Sequence, residues 1–176
     1  MPQTVSPNLV FVACQPRSGS TMLQRILGAH SEVHTISEPW LMLHPLYALR
    51  EEGTKAEYDA GLAHTALESV IDELPNGRQD YIGGVRGMYQ TLYGKLLEPA
   101  DATIFLDKTP RYYLILPELR EVFPEARYIL LVRNPLSVFT SILRTWVNNN
   151  WLKVRSYHKD LLRAPAQIRK VHEDCG

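Results

Sequence analysis

The chain has 176 residues, 45% hydrophobic and 22% charged, and its 19 basic and 19 acidic side chains cancel at neutral pH. That length suits one domain with a sizeable core, and zero net charge gives no ground for a nucleic-acid partner or an anionic membrane surface. Two cysteines, Cys14 and Cys175, and no basic N-terminal segment ahead of a long apolar run point away from a disulfide scaffold, a signal peptide and a membrane span, so the expected compartment is the cytoplasm.

Residues 9–14 form a short continuous apolar run bounded by Pro7-Asn8 and Gln15-Pro16, the pattern of a buried strand. Pro16-Arg17-Ser18-Gly19-Ser20-Thr21 follows as a small-residue turn. Apolar residues at Met22, Leu23, Ile26 and Leu27 then begin a helix that Gly28 stops. A helix start leaves N–H groups without intrahelical partners and favours an anion. Gly19 admits a close approach, Ser18, Ser20 and Thr21 supply hydroxyls, and Arg17 supplies a planar cationic fork. The stretch is a cradle for phosphate or sulfate, or, with equal weight, a capped strand-to-helix turn.

Residues 30–37 leave room for a short strand leading to Glu38-Pro39-Trp40, where Pro39 biases Glu38 to an extended backbone. Residues 41–50 read as helical with Pro45 interrupting them. Residues 56–74 carry Leu62, Ala63, Ala66, Leu67, Val70 and Ile71 at helical spacing, and Pro75-Asn76-Gly77 ends that helix. Gly83-Gly84 marks a loop. Residues 85–98 predict a helix with Met88, Leu92, Leu96 and Leu97 on one side, stopped by Pro99.

A second buried strand over residues 102–107 ends at Lys108-Thr109-Pro110, and a helix follows with Pro117 as its start or a kink. A third over residues 127–132 ends at Arg133-Asn134-Pro135, ahead of an apolar helix over residues 136–147. Residues 158–172 predict a last helix, broken near Pro165. Charge is uneven along the chain. Residues 51–80 are acidic and residues 144–170 basic, which describes two solvated faces or a basic segment that attracts an anionic substrate.

Buried strands alternating with helices predict an α/β fold: a central parallel sheet flanked by helices, with ligands beyond the carboxyl ends of the strands. Arg17, Lys108 and Arg133 each follow a strand, so three cations meet at one sheet edge, which implies a ligand with several negative charges. No lysine precedes Ser20-Thr21, so the loop lacks the Gly-x-x-x-x-Gly-Lys-Ser/Thr spacing of a triphosphate site. Asp107 is the one acid placed at a strand end where magnesium would need it. A kinase-like P-loop enzyme and an inactive nucleotide- or anion-binding module stand as alternatives. No His, Cys, Asp or Glu spacing suggests a metal.

These residues resemble the superfamily of sulfotransferases that use 3′-phosphoadenosine 5′-phosphosulfate (PAPS). Pro16-Arg17-Ser18-Gly19-Ser20-Thr21 looks like its 5′-phosphosulfate loop, and Arg133-Asn134-Pro135 with Ser141 looks like its 3′-phosphate motif. The closer likeness is to the branch of tyrosylprotein and many bacterial sulfotransferases. There the loop is followed by a glutamate that acts as base, and by a lysine at the end of the next core strand. Glu38, and Lys108 in Asp107-Lys108-Thr109-Pro110, match those features.

The likeness covers residues 8–147 in patches, and residues 41–100 match no motif. It implies a P-loop-like three-layer domain, PAPS as co-substrate with the desulfated nucleotide PAP as product, no metal, and in-line transfer of a sulfuryl group to a hydroxyl of a small molecule, carbohydrate or lipid. The implied donor contacts are Arg17, Ser18, Gly19, Ser20, Thr21, Met22, Arg133 and Ser141. The implied catalytic set is Glu38 as base, with Lys108 and Arg17 stabilising the leaving phosphate. His34 or His44 is an alternative base. Trp40 is a candidate wall of the acceptor pocket, whereas Tyr89, Tyr93, Trp146 and Trp151 read as core or groove lining. Family members continue well beyond this length, with a later strand and a Gly- and Lys-containing loop. Residues 1–176 are therefore expected to be the first part of a longer domain.

Overall fold

The computed structural model describes residues 7–174, so Cys175 lies outside the described residues. Four strands, β1 (Asn8–Cys14), β2 (Val33–His34), β3 (Ile104–Asp107) and β4 (Arg127–Leu131), make one sheet in the order β2-β3-β1-β4. Every pairing is parallel. Phe11 sits opposite Asp107, and Cys14 sits opposite Leu131. All carboxyl ends therefore point to one edge, where the segments after β1, β2, β3 and β4 emerge together.

Side chains alternate across a strand, so Leu9, Phe11 and Ala13 share one face of β1. Phe11 is fully buried among Tyr93, Tyr112, Phe123 and Tyr128, with ring centroids 5.5–6.1 Å away. These edge, tilted and stacked contacts form the main aromatic core. Helices α4 (Arg78–Leu97), α5 (Leu116–Val122) and α8 (Ala164–Glu173) pack on that side. Val12, Cys14 and Leu106 point the other way and are also buried, on the side of α1 (Ser20–Leu27) and α6 (Pro135–Thr145). The result is the expected α/β architecture, a parallel sheet between two helical layers.

Several local expectations are corrected. Pro45 does not interrupt a helix; it lies in the first turn of α2 (Leu43–Tyr47), where a missing N–H has no intrahelical partner to lose. Gly83-Gly84 is not a loop, because α4 runs through both. Ile82, Val85, Tyr89 and Tyr93 form its buried stripe, and a Cβ on Gly83 or Gly84 would meet nothing within 4 Å. Each helical glycine costs about 1 kcal/mol, and burying four large side chains outweighs that. Met88 and Leu92, expected on one apolar side of this helix with Leu96 and Leu97, are exposed.

Helix α3 (Ala60–Glu73), capped by Asp59 through Leu62 N–H at 2.9 Å, buries Ile71 and leaves Leu62 and Val70 in solvent. Strand β4 is half-exposed rather than buried, because it lies at the sheet edge. The last helical stretch is not broken at Pro165. From α7 (Trp151–Val154) the chain passes through a 3₁₀ turn at Arg155–Tyr157 and a π-helical turn at Lys159–Arg163 into α8, whose first turn takes the proline. Among the described residues no helix is long and apolar enough to cross a membrane.

Candidate active site

At the carboxyl edge of the sheet lies a cleft of about 370 Å³. Seven of the ten residues expected to bind the donor or act in catalysis line it: Arg17, Gly19, Ser20, Thr21, Glu38, Arg133 and Ser141. Pro16, Trp40, Pro110, Arg111 and Trp146 complete its wall. Three other expected residues are placed differently. Lys108 is buried behind Glu38, at 2% exposure. Ser18 is buried under the loop. Met22 is 70% exposed on the outside of α1. His34 and His44 do not line the cleft; the His34 ring packs against Phe105 at 5.8 Å.

The turn after β1 is shaped by two left-handed residues, Arg17 at φ 67° and Gly19 at φ 97°. Glycine adopts this region freely, whereas arginine there is strained by ~1 kcal/mol. A Cβ on Gly19 would meet nothing within 4 Å, so conformation rather than space calls for glycine. The backbone turns so that the N–H groups of Gly19, Ser20 and Thr21 find no acceptor among the described residues. Met22 N–H is already given to the Gly19 carbonyl at 3.0 Å. Ser18 Oγ is buried and has no hydrogen-bond partner among the described residues. Orphan donors at a helix start and a buried unpaired hydroxyl suit a bound oxyanion.

The strained Arg17 is held from α6 and from the end of β4. Arg133 Nη1 donates to the Arg17 carbonyl at 3.0 Å, and Arg17 Nε donates to Ser141 Oγ at 3.0 Å. The Arg17 guanidinium also lies 5.8 Å over the Trp146 ring. Asn134 accepts from Leu136 N–H at 2.9 Å and Pro135 occupies the first helical position, so α6 starts where Arg133 must point back to the loop. The loop after β1 and the start of α6 thus form one connected device.

Across the cleft, Lys108 Nζ donates to Glu38 Oε1 at 2.7 Å. Behind that pair, Asp107 is buried and receives three hydroxyls: Tyr93 and Tyr112 on Oδ2 at 2.7 and 2.8 Å, and Thr109 on Oδ1 at 3.0 Å. Burial pushes the Asp107 carboxyl up to about 6, against the pull of those hydrogen bonds and of Lys108. Burial, reinforced by the Asp107 charge, holds the Tyr93 and Tyr112 phenols well above their usual value, so both remain donors.

Arg111 is a fourth cation at the cleft that sequence reasoning missed. It follows Lys108 by three residues on a 3₁₀ turn, Pro110–Leu114, so extending the search for cations one turn past the strand end would have included it. Its Nη2 pairs with Asp160 at 3.1 Å, and its guanidinium lies 5.7 Å over Trp40. Asp160 also accepts from Tyr113 OH at 2.8 Å. Among the described residues no three His, Cys, Asp or Glu side chains gather as a metal site.

The profile of the Sulfotransferase family matches residues 7–175. Nodulation protein NoeE of Sinorhizobium fredii is 35% identical over 140 residues, covering 80% of this chain and 32% of that protein. The protein-tyrosine sulfotransferase of Drosophila melanogaster is 24% identical, over 95% of this chain and 31% of its own length. The solved sulfotransferase domain from the curacin biosynthetic pathway superposes with a TM-score of 0.54 at 26% identity, covering 93% of this chain and 62% of that one. The chain therefore spans about a third of the length of these two curated relatives.

Proposed function

The chain belongs to the sulfotransferase family, and from that premise we propose that it binds PAPS in the cleft and moves its sulfuryl group to an acceptor hydroxyl. The observation that carries the reading is the meeting, in one cleft, of Arg17, Arg133, Ser141 and the acceptor-free N–H groups of α1 with Glu38 opposite. PAPS supplies an activated sulfuryl group on a phosphate leaving group. The N–H groups of Gly19, Ser20 and Thr21, the hydroxyls of Ser18, Ser20 and Thr21, and Arg17 bind the phosphosulfate end. Arg133 and Ser141 bind the 3′-phosphate. Met22, whose N–H is spent inside the turn, is left out of the set.

Such transfer is an in-line displacement in which the protein mainly positions groups and stabilises charge, as in phosphoryl transfer. Glu38 accepts the proton of the acceptor hydroxyl. Lys108 holds Glu38 Oε1 in place, and with Arg17 it stabilises charge growing on the leaving phosphate. The kinase alternative is weakened by Asp107, whose oxygens are taken by three hydroxyls and face the core.

A second cleft of about 500 Å³ shares Trp40 and is walled by residues of α2 and α3, including His44, Tyr47 and His64. We assign it to the acceptor. One relative is named for protein tyrosine, so a tyrosine peptide joins sugars, lipids and small alcohols as acceptors to try. Calorimetric titration with PAP, set against ATP with magnesium, tests the donor. Tight PAP binding and weak ATP binding is the expected result, and no response to PAP refutes the reading. Transfer of labelled sulfate from PAPS across the acceptor panel tests the reaction and separates an enzyme from an inactive binding module.

A further inference from the structure

The wall behind Glu38 contains a buried carboxylate that the proposed chemistry does not use. Asp107 accepts hydrogen bonds from the hydroxyls of Tyr93, Tyr112 and Thr109. Two of those hydroxyls are used again. Thr109 Oγ1 accepts the N–H of Trp40 at 3.2 Å, and Tyr112 OH accepts the N–H of Met42 at 3.2 Å. A backbone N–H can only donate, and an ionised carboxylate can only accept. Every bond in this relay therefore has one direction: backbone to hydroxyl to Asp107. The carboxylate turns the hydroxyl protons toward itself and leaves their lone pairs for two amides.

Those amides belong to the irregular segment directly after Glu38-Pro39. Trp40 sits there at φ 57°, a conformation in which a bulky L residue is strained and must be held by its surroundings. Thr109 holds its backbone, and Arg111, anchored on Asp160, holds its ring. Lys108, next to Asp107 in the chain, meets the Glu38 carboxylate itself. Glu38 is thus held at its tip by Lys108, and the chain just after it is held at the amides of Trp40 and Met42 by Thr109 and Tyr112.

We infer that Asp107, acting through the hydroxyls of Thr109 and Tyr112, is a positioning residue that holds Glu38 and Trp40 in their working geometry. This rests on the reading of Glu38 as the base. An ordinary buried polar cluster would stabilise the fold without steering the carboxylate, and a double-mutant cycle tells the two apart. Thr109→Val keeps the side-chain shape and deletes the hydroxyl.

In the full protein, Thr109→Val is expected to lower kcat by ~10-fold while the calorimetric Kd for PAP stays within ~2-fold, as misplacement of a reacting group does. Thr109→Ser restores kcat. In a Glu38→Ala background, Thr109→Val has no further effect on kcat. Unchanged kcat in Thr109→Val, or a penalty that simply adds to that of Glu38→Ala, overturns the inference. Should the valine variant fail to fold, Tyr112→Phe takes its place in the cycle, and an unchanged kcat or an additive penalty there overturns the inference equally. Failure of the underlying reading looks different: the unaltered protein does not bind PAP, or Glu38→Ala turns over normally, and the inference falls with it.

Discussion

On the α1–α6 side of the cleft, donors outnumber acceptors. Three N–H groups of the loop have no partner among the described residues, Ser18 Oγ is orphaned, and Arg17 and Arg133 face solvent with one hydrogen bond each. On the Glu38 side donors and acceptors are matched. Lys108 is paired, Asp107 has three donors, and the amides of Trp40 and Met42 are satisfied. One wall is left incomplete, with unpaired donors that suit a polyanion. The other is finished before any ligand arrives. On the proposed function the difference separates binding from preorganisation: donor affinity is assigned to the first wall and the geometry of proton removal to the second.

The comparison can be broken most severely at Glu38. Glu38→Gln keeps the shape and removes the base, and kcat should fall by ~10²–10⁴-fold with PAP affinity nearly unchanged. Single-turnover transfer with labelled PAPS measures the first quantity and calorimetry the second. A large loss of PAP affinity would show that the finished wall also binds the donor.

Next comes Asp107, through pH. Its folded carboxyl is raised to about 6 by burial, whereas an unfolded aspartate titrates near 3.9. Below about pH 4 both states hold the proton and the group is neutral to stability. Between about pH 4 and 6 the unfolded chain releases its proton first, so stability falls as pH rises, by up to ~3 kcal/mol from this group. Asp107→Asn should remove that component. Urea melts at pH 4, 5, 6 and 7 check it, and equal slopes in both proteins would refute it.

Arg133→Ala attacks the incomplete wall. It deletes the proposed phosphate contact and frees the strained Arg17 carbonyl, so the Kd for PAP should rise by ~10–100-fold while melting temperature changes little. The remaining affinity should depend less on salt than that of the unaltered protein. Ser18→Ala is the smallest test. Removing a buried hydroxyl without a partner should alter the stability of the free protein by less than ~1 kcal/mol, and by calorimetry weaken PAP binding by less than ~10-fold. A clear destabilisation would mean the hydroxyl already has a partner.

Local chemistry makes the incomplete wall readable from sequence. A continuous apolar run, a glycine-containing turn and a helix start lie within twenty residues, and β1, β3 and β4 appear where apolar runs predict them. Of the finished wall, Glu38 and Lys108 are legible through the family resemblance, but the hydrogen-bond relay behind them is not. Asp107 joins Tyr93 and Tyr112 from different helical segments, and Thr109 reaches Trp40 across 69 positions of sequence. No spacing rule reports such meetings. The inward faces of α3 and α4 escape sequence reading for a related reason. Several apolar stripes fit a helical period, and only the tertiary neighbours decide which is buried, so Ile82 and Tyr89 point inward while Met88 faces water.

The segment from Trp40 to Met42 belongs to no strand, and Trp40 lies at the protein surface. Yet two of its amide protons are donated to hydroxyls that are themselves tied to a buried carboxylate. In deuterium oxide those two protons should linger like protons of the central strands, leaving only when the Asp107 hub opens as a unit. A stretch of chain without regular structure would then share the slow clock of the sheet.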